Sequence, residues 1–557
     1  MMPRPAGSVA STVEEMSPSP PPIPSGRPSS SVRAPRHAVA SADQLATSAG
    51  MEIFALGGNA VDAAIATNAA IAVTGPHMCG MGGDLFALIH VDEPGTDAPG
   101  ETFALNASGR AGSGADPDAL RAEGFEDMPF KLDIRSATVP GCIDGWIALH
   151  ERFGSMPLDV LLAPARRLAA DGFPASPLLV GSLRMLDAES RSNLFELAAQ
   201  ATTTGARVRR PGAALALAGI GASGRESFYG GAFGTGLLEL GDGLFSEDDL
   251  ARPHADWVEP LSASAFGVEL HTIGPNSQGY LTLGAARLAE RLDLPDDPDD
   301  ERWAHLLIEA ATAAGFDRPD VLTERADGEL LLAAIDGRLD LVGLERATRR
   351  TAPAHDGDTT YLCTAGIDRD GRRMGVSLIQ SNASGYGCHL VEPNTGINLH
   401  NRGIGFNLVA GHGAEFRPGR RPPHTLSPAL ATRDGRLVSV FGTMGGDAQP
   451  QILLQIAARM FHHGQSPSRA IDSGRWILHG PVTGFDTWTG HGGPLVHVEG
   501  HAPASWMTAL ADRGHLTEAQ PPWNTGFGHA HAIVVEDTGM FAAAADPRTV
   551  VGSAAGA

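Results

Sequence analysis

Residues 60–73 constrain the fold of this chain more than any other segment. Their sequence, AVDAAIATNAAIAV, places small side chains on most faces of a predicted helix. A helix that is apolar all round belongs inside a core, so other elements must pack closely around it. Asn59 is predicted to cap this helix, and Gly57-Gly58 ends the helix before it.

The rest of the chain is long enough to supply that core. It has 557 residues, 42% of them hydrophobic, and its 69 glycines and 40 prolines predict many turns and loops. The character changes near Thr351, where a polar segment precedes a predicted strand, an Asp-Gly hairpin at 370–371 and a second strand. A loop-rich α/β or α+β enzyme is expected. Residues 1–36, rich in Pro and Ser, are predicted to be a disordered tail.

Composition excludes several classes of function. The chain has 41 basic and 64 acidic residues, a net charge of −23, so no nucleic-acid partner is predicted. Lys131 is the one lysine, which excludes a Walker-type phosphate loop and a Ser-x-x-Lys pair and leaves only Lys131 for a pyridoxal Schiff base. The four cysteines are far apart and suggest neither a zinc ribbon nor disulfides. Without an apolar run of about 18 residues or a signal-like N-terminus, no membrane partner is predicted and a cytoplasmic location is expected.

Asp358-Thr359-Thr360 lies between the polar segment and the predicted strand. An N-terminal nucleophile hydrolase needs this arrangement, because cleavage before Thr359 would give that residue a free α-amine. An α-amine has a pKa of about 7.7–8.0, so it can accept the hydroxyl proton near neutral pH without a His or Lys partner. Taken alone, the same tripeptide is also typical of an ordinary turn.

Gly445-Gly446 follows another predicted strand and precedes a predicted helix. Consecutive backbone N–H groups at such a turn suit an oxyanion hole, although an ordinary strand-to-helix turn has the same pattern. The glycine-rich stretch at 79–84, CGMGGD, lacks the lysine and the spacing of a phosphate loop and is interpreted as a packing turn.

The motifs taken together resemble the γ-glutamyltransferase (γ-glutamyltranspeptidase, glutathione hydrolase) family, from about Ala38 to the C-terminus. The resemblance implies an α+β, four-layer αββα N-terminal-nucleophile sandwich without cofactor or metal. It implies a proenzyme cut between Asp358 and Thr359 into a large subunit (37–358 after the tail) and a small one (359–557). It assigns Thr359 as nucleophile, Gly445 and Gly446 as oxyanion hole, and Ser381 as a second hydroxyl beside the nucleophile. The motifs are, in order, GGNAVDAA (57–64), GMGGDLF (80–86), TVPGCIDGW (138–146), LLAPARRLAADGFPAS (161–176), GDTTYL (357–362), VSLIQSN (376–382), NTGINLHNR (394–402) and AADPR (544–548).

Two of the positions that bind substrate in this family differ here. Where the family has Arg-Glu-x-Ala-Pro to bind the substrate α-carboxylate, this chain begins the segment with Ser108, and Arg110 stands two places on. Where the family has Asn-Gln-x-x-Asp to bind the glutamyl α-amine, this chain has Asn401 followed by Arg402 and lacks the Asp. Whether Arg110 replaces the missing arginine is left open.

A third position has His424-Thr425 where the family has a Ser-Ser pair, and residues 406–422 are too few for the lid loop of many members. Burying an ammonium or a carboxylate without its partner costs several kcal/mol. The site therefore suits an acyl group with a carboxylate and no amine, as in the acylase and oxamate-amidohydrolase branches, and hydrolysis is favoured over transfer because a lidless site admits water.

Two other functions remain open, namely true γ-glutamyl transfer or glutathione hydrolysis, and an uncut, non-catalytic binding protein. The expected partners are a small-molecule amide or γ-glutamyl substrate and the chain's own two subunits, and a homodimer of heterodimers is among the options. His462-His463 and His529-x-His531 are interpreted as structural rather than as metal ligands. Asp317-Arg318 and Asp546-Arg548 are expected to form internal ion pairs.

Overall fold

A computed structural model describes residues 30–96, 98–348, 359–479 and 495–557 of the protein. Within these ranges the helices, numbered in chain order, are α1 Gln44–Leu56, α2 Ala60–Thr74, α3 Pro117–Ala122, α4 Cys142–Phe153, α5 Leu158–Asp171, α6 Pro177–Met185, α7 Ala188–Asn193, α8 Phe195–Gln200, α9 Pro211–Ser223, α10 Arg225–Tyr229, α11 Ala232–Gly241, α12 Glu247–Ala251, α13 Tyr280–Glu290, α14 Glu301–Gly315, α15 Arg318–Val321, α16 Gly328–Asp336, α17 Gln449–Ala457, α18 Pro467–Asp472 and α19 Ala504–Asp512.

The strands of the same ranges are β1 Val32–Ala34, β2 His37–Ser41, β3 Asp84–Asp92, β4 Glu101–Ala107, β5 Phe173–Pro174, β6 Arg207–Val208, β7 Asp256–Val258, β8 Pro260–Ala265, β9 Val268–Ile273, β10 Thr360–Ile367, β11 Arg373–Ser381, β12 Val391–Glu392, β13 Ile397–Asn398, β14 Ala429–Arg433, β15 Arg436–Thr443, β16 Trp476–His479, β17 Leu495–Glu499, β18 Leu516–Gln520, β19 Ala530–Val535, β20 Phe541–Ala545 and β21 Ser553–Gly556.

Most of the strands form two large antiparallel sheets. Sheet one has the strand order β1-β20-β19-β15-β14-β9-β8, and sheet two has the order β21-β2-β10-β11-β3-β4-β7. Apolar side chains from both sheets, such as Tyr361 and Val440, form a shared core. A second core lies between sheet two and helices that include α1, α2 and α5, and a third between sheet one and helices that include α13, α14 and α17. The predicted α+β, four-layer αββα architecture is thus confirmed.

The first two helices begin and end where the sequence predicts. Gly57 ends α1 in the left-handed conformation at φ 91°, a region that favours glycine. The Asn59 side chain caps α2 by accepting from the backbone N–H of Asp62. The Asp62 carboxylate in turn accepts from the backbone N–H of Asn59, which completes a capping box. Every side chain of α2 is buried, so its small residues allow neighbouring helices and β10 to pack closely around it.

The hairpin that follows Thr359 places the nucleophile candidate in the middle of sheet two. The strands β10 and β11 pair antiparallel around the turn that contains Asp370 and Gly371, and Thr360 lies opposite Gln380. On the other side of β11, Ser381 lies opposite Asp84 of β3. The register therefore brings Thr359, Ser381 and Asp84 to the same end of adjacent strands.

The ordered fold begins earlier than the composition predicts. Residues 32–34, inside the tail predicted for 1–36, form β1 and pair with β20 of sheet one. The Pro- and Ser-rich composition does not predict this strand, because the strand forms only by pairing with a partner more than 500 residues away in the sequence. Within the residues described, every helix is too short or too polar to cross a lipid bilayer.

Candidate active site

Thr359 lies immediately before β10 and is almost fully buried, at 1% exposure. Its Oγ1 is 3.0 Å from the Oγ of Ser381, within hydrogen-bond distance. Ser381 Oγ in turn accepts a hydrogen bond from the backbone N–H of Ala383 at 2.7 Å. The two hydroxyl groups that the sequence pairs are therefore in contact. The other residue of the predicted cleavage site, Asp358, lies outside the described residues.

Arg402 brings a positive charge to these hydroxyls. Its guanidinium donates to Thr425 Oγ1 at 3.0 Å and to Ser381 Oγ at 3.4 Å, and the side chain is 1% exposed. Burial lowers the pKa of Arg402 to about 10, which still leaves the group protonated at neutral pH. The site thus contains a buried cation one hydroxyl away from Thr359.

Gln278 connects this cation to the glycine pair. The Nε2 of Gln278 donates to the carbonyl oxygen of Thr425 at 3.0 Å and to that of Gly446 at 2.9 Å. Hydrogen bonds therefore link Thr359, Ser381, Arg402 and the Thr425 hydroxyl, and Gln278 links the Thr425 carbonyl to Gly446.

The turn at Gly445-Gly446 requires glycine at both positions. Gly445 has φ 140° and Gly446 has φ 53°, and both values lie in the left-handed region that strains other residues. The carbonyl of Gly445 accepts from the N–H of Ala448 at 2.9 Å, and Asp447 forms a buried ion pair with Arg318 at 3.2 Å. These contacts hold the turn in one conformation between β15 and α17.

Asp84 anchors the other side of the site. Its carboxylate accepts from the backbone N–H of Gly109 at 2.9 Å and lies 3.2 Å from Nε2 of His424 and 3.5 Å from Nδ1 of His400. Burial alone would raise the pKa of Asp84, but the attraction of His400 and His424 outweighs it and holds that pKa well below its usual range. The Asp84 carboxyl group of the folded protein is therefore an anion near neutral pH.

His424 is a neutral hydrogen-bond donor rather than a second cation. Burial and the nearby Arg402 lower its pKa to about 3. Because its Nδ1 accepts from the backbone N–H of Leu426 at 3.2 Å, the ring proton is on Nε2 and points at Asp84. His424 thus links Asp84 to the loop that carries Thr425.

The remaining predicted substrate residues hold the surrounding loops. Ser108 Oγ accepts from the side-chain amide of Asn276 at 3.2 Å, and Asn401 donates to Ser384 Oγ at 2.8 Å. Arg110 forms ion pairs with Glu324 and with Asp256. Of the two arginines weighed for substrate binding, Arg402 is the one that contacts Ser381.

Three residues that sequence reasoning did not assign to the site are Asp84, Gln278 and His400. Asp84 closes the GMGGD motif, and a Cβ on the preceding Gly83 would lie 2.3 Å from the carbonyl oxygen of Ser381. That glycine-rich stretch is therefore a packing turn, as predicted, and it places Asp84 beside Ser381. A buried-charge signal was available at Asp84 because the residue follows a glycine run and opens an apolar strand.

The expected ion pairs are confirmed. Asp317 pairs with Arg338, and Arg318 pairs with Asp447 next to the glycine turn. Asp546 pairs with both Arg475 and Arg548, and all three of these side chains are fully buried.

We expect Asp84→Asn to destabilise the fold by about 1.5–3 kcal/mol at pH 7, because it weakens the buried charge-assisted hydrogen bonds with Gly109 and His424. The pKa of Asp84 is depressed in the folded state, so its stabilisation is full above the unfolded value of about 3.9 and is lost as pH falls below it. The difference in unfolding free energy between wild type and variant, measured in urea, should therefore shrink below about pH 4.

Asp118→Asn is the matched control for this experiment. Asp118 has a highly exposed side chain and pairs with Arg121 on the surface, so its loss should cost at most about 1 kcal/mol. An Asp84→Asn variant no less stable than this control at pH 7 would contradict the anchoring role.

Comparison with known proteins identifies the family to which this chain is similar. The family model described as gamma-glutamyltranspeptidase matches residues 46–556. The chain is 32% identical over 532 residues to the glutathione hydrolase-like YwrD proenzyme of Bacillus subtilis, covering 93% of this chain and 98% of that protein. It is 32% identical over 532 residues to the oxamate amidohydrolase proenzyme of Klebsiella pneumoniae, covering 92% and 97%.

A solved structure agrees with these similarities. The cephalosporin acylase from Bacillus halodurans superimposes with a TM-score of 0.85 at 32% identity, covering 97% of this chain and 99% of the other. With an N-terminal-nucleophile sandwich, a matched family model over nearly the whole length and close similarity to hydrolases of that group, the chain belongs to the γ-glutamyltranspeptidase family of enzymes.

Proposed function

We propose that this protein is an autoprocessing amide hydrolase with Thr359 as its nucleophile. Its preferred acyl group carries a carboxylate but no α-amine, and water rather than a second amine releases the acyl group. The observation that carries the proposal is Arg402, a buried cation that contacts Ser381 while Ser381 contacts Thr359.

The first step of this proposal is the cleavage of the chain itself. Thr359 Oγ attacks the carbonyl carbon of Asp358, the C–N bond breaks, and the nitrogen takes up the hydroxyl proton to become the α-amine of Thr359. Water then hydrolyses the resulting ester, releasing the Asp358 carboxyl group and restoring the Thr359 hydroxyl. The small subunit would begin at Thr359.

In the proposed catalytic cycle the new α-amine acts as the base. It takes the proton of Thr359 Oγ as that oxygen attacks the substrate carbonyl, and it returns the proton to the departing amine. The N–H groups of Gly445 and Gly446 bind the oxyanion, in a turn held by the Gln278 and Arg318 contacts. Water then attacks the acyl-enzyme by the same base and regenerates Thr359.

Substrate choice follows from the charges around the nucleophile. A γ-glutamyl group carries an ammonium, and Arg402 would repel it because the charge of a buried guanidinium is weakly screened. A substrate carboxylate would instead be bound by the guanidinium in a charge-assisted pair. Asp84 does not reverse this preference, because its carboxylate already accepts bonds from Gly109 and faces His424 and His400.

The proposal is tested with two anilides that differ only in the α-amine, glutaryl anilide and γ-glutamyl anilide. We expect kcat/KM for the glutaryl compound to be at least about 100-fold higher, since burying an unpaired ammonium costs several kcal/mol. The measurement is release of the aniline by purified, processed protein, with and without an added acceptor dipeptide. Faster turnover of the γ-glutamyl compound would refute the substrate argument, and strong stimulation by the dipeptide would refute the preference for hydrolysis.

A further inference from the structure

A compact group of metal-binding side chains lies away from the candidate active site. His305, Glu309 and His515 are all buried, and one potential ligand atom of each lies within 4.8 Å of the others. His305 and Glu309 are one turn apart on α14, so their side chains share a face. His515 comes from the link between α19 and β18.

We propose that these three side chains form a zinc site. Two imidazoles and one carboxylate are ligands typical of Zn²⁺, with water in the fourth position. The site goes beyond the proposed hydrolase function and does not depend on it.

The distance between the two histidines fits this ion after a small adjustment. The Nδ1 of His305 is 2.8 Å from the Nε2 of His515, the spacing of a hydrogen bond between the two rings. Two nitrogens bound to one tetrahedral Zn²⁺ at about 2.0–2.1 Å lie about 3.3–3.4 Å apart. The rings therefore have to separate by about half an ångström.

The proton shared by the two histidine rings can also be accommodated when a metal binds. Both nitrogens that face each other must present lone pairs to the metal, so the proton they share has to move. If His305 donates it, that ring can carry the proton on Nε2 instead, a buried atom with no hydrogen-bond partner among the described residues.

Glu309 already has the surroundings of an oriented ligand. Its carboxylate accepts from the Thr348 hydroxyl at 2.8 Å and from the backbone N–H groups of Thr348 and Gly343 at 3.2 Å. Ligating carboxylates are commonly held by such outer hydrogen bonds, which fix their orientation.

The position of the site suggests what the metal would do. Residues 343–348 precede the segment that leads to Thr359, and Glu309 holds them on one side. On the other side the N–H of Ala347 donates to the carbonyl of Arg513, two residues before His515. A zinc ion would therefore fasten the end of the large-subunit region to a small-subunit element, on either side of the proposed cut.

The test is zinc binding by the purified full-length protein after treatment with EDTA. We expect one Zn²⁺ per chain to be retained through dialysis and to raise Tm. His305→Ala and His515→Ala should each weaken binding by at least about 100-fold, the upper end of what losing only an outer partner costs. His462→Ala, at an exposed histidine outside the cluster, should bind zinc as the wild type does.

A second measurement uses only the wild-type protein, so its result does not depend on whether a variant folds. Wild-type protein titrated with Co²⁺ should show the visible absorption bands of a tetrahedral nitrogen and oxygen site, and Zn²⁺ should abolish them. Failure of the wild type to retain zinc, binding unchanged in a folded His515→Ala protein, or octahedral cobalt spectra would each overturn the proposal. Any of these results would mean that the two histidines form a hydrogen-bonded pair without a metal. The proposed amide hydrolysis does not depend on the zinc site and would still stand.

Discussion

Replacing Thr359 with alanine should leave the protein as a single uncut chain with no amidase activity. In the proposed mechanism the substitution removes the oxygen that attacks Asp358, so the α-amine would never form and nucleophile and base would be lost together. We expect activity to fall by at least about 10⁴-fold, as it does when the nucleophile of a hydrolase is removed. Intact mass spectrometry should show two fragments in the wild type, the smaller beginning at Thr359, and one 557-residue chain in the variant.

The neighbouring threonine supplies the matched control. Thr360 is also buried, but its hydroxyl has no hydrogen-bond partner among the described residues, so Thr360→Val changes little except that hydroxyl. This variant should be cut as the wild type is. Thr359→Ser keeps an attacking hydroxyl and should restore cleavage. A wild-type protein that never matures would remove the base from the proposed mechanism and favour the uncut binding protein instead.

Replacing Arg402 with methionine should change which substrate the enzyme prefers. Methionine retains an unbranched apolar side chain but carries no charge to pair with a substrate carboxylate. Losing one member of a buried charged pair costs about 2 kcal/mol or more, so kcat/KM for glutaryl anilide should fall about 30-fold or more. The value for γ-glutamyl anilide should fall less, because the loss of attraction for its carboxylate is offset by the loss of repulsion on its ammonium.

The ratio of the kcat/KM values for the two anilides distinguishes a loss of charge recognition from general damage to the site. A merely structural role for Arg402 would lower both values together, leaving the ratio unchanged, and would contradict the charge argument. Arg402→Lys should recover part of the preference. Arg420→Met is the control, since Arg420 donates to the carbonyl of Gly413 near the surface and contacts none of the catalytic candidates described above.

Sequence alone predicts the local parts of this site well. The hairpin of β10 and β11, the capped helix α2 and the strand-turn-helix around Gly445 each depend on signals a few residues apart, and the structure contains all three. Ser381 is found beside Thr359 because the length of one hairpin fixes their register.

The long-range parts could not be predicted from local pattern. Gln278 reaches Gly446 across 168 residues of sequence, and Asp84 reaches His424 across 340. The direction in which Arg110 points is likewise set by Glu324 and Asp256, whose approach depends on tertiary packing. No periodicity or motif spacing encodes such pairs, since the sheet register and loop packing that create them are properties of the whole fold.

The arrangement of strands in the two sheets has a consequence for the behaviour of a cut chain. In sheet two, β10 lies between β2 and β11, and β11 lies between β10 and β3, so strands from both sides of Thr359 alternate. In sheet one, β14 likewise pairs with β9. A protein cut before Thr359 would therefore not behave as two partners in a binding equilibrium. Dilution would not separate the pieces, because their separation would break the hydrogen bonds between strands of one piece and interior strands of the other.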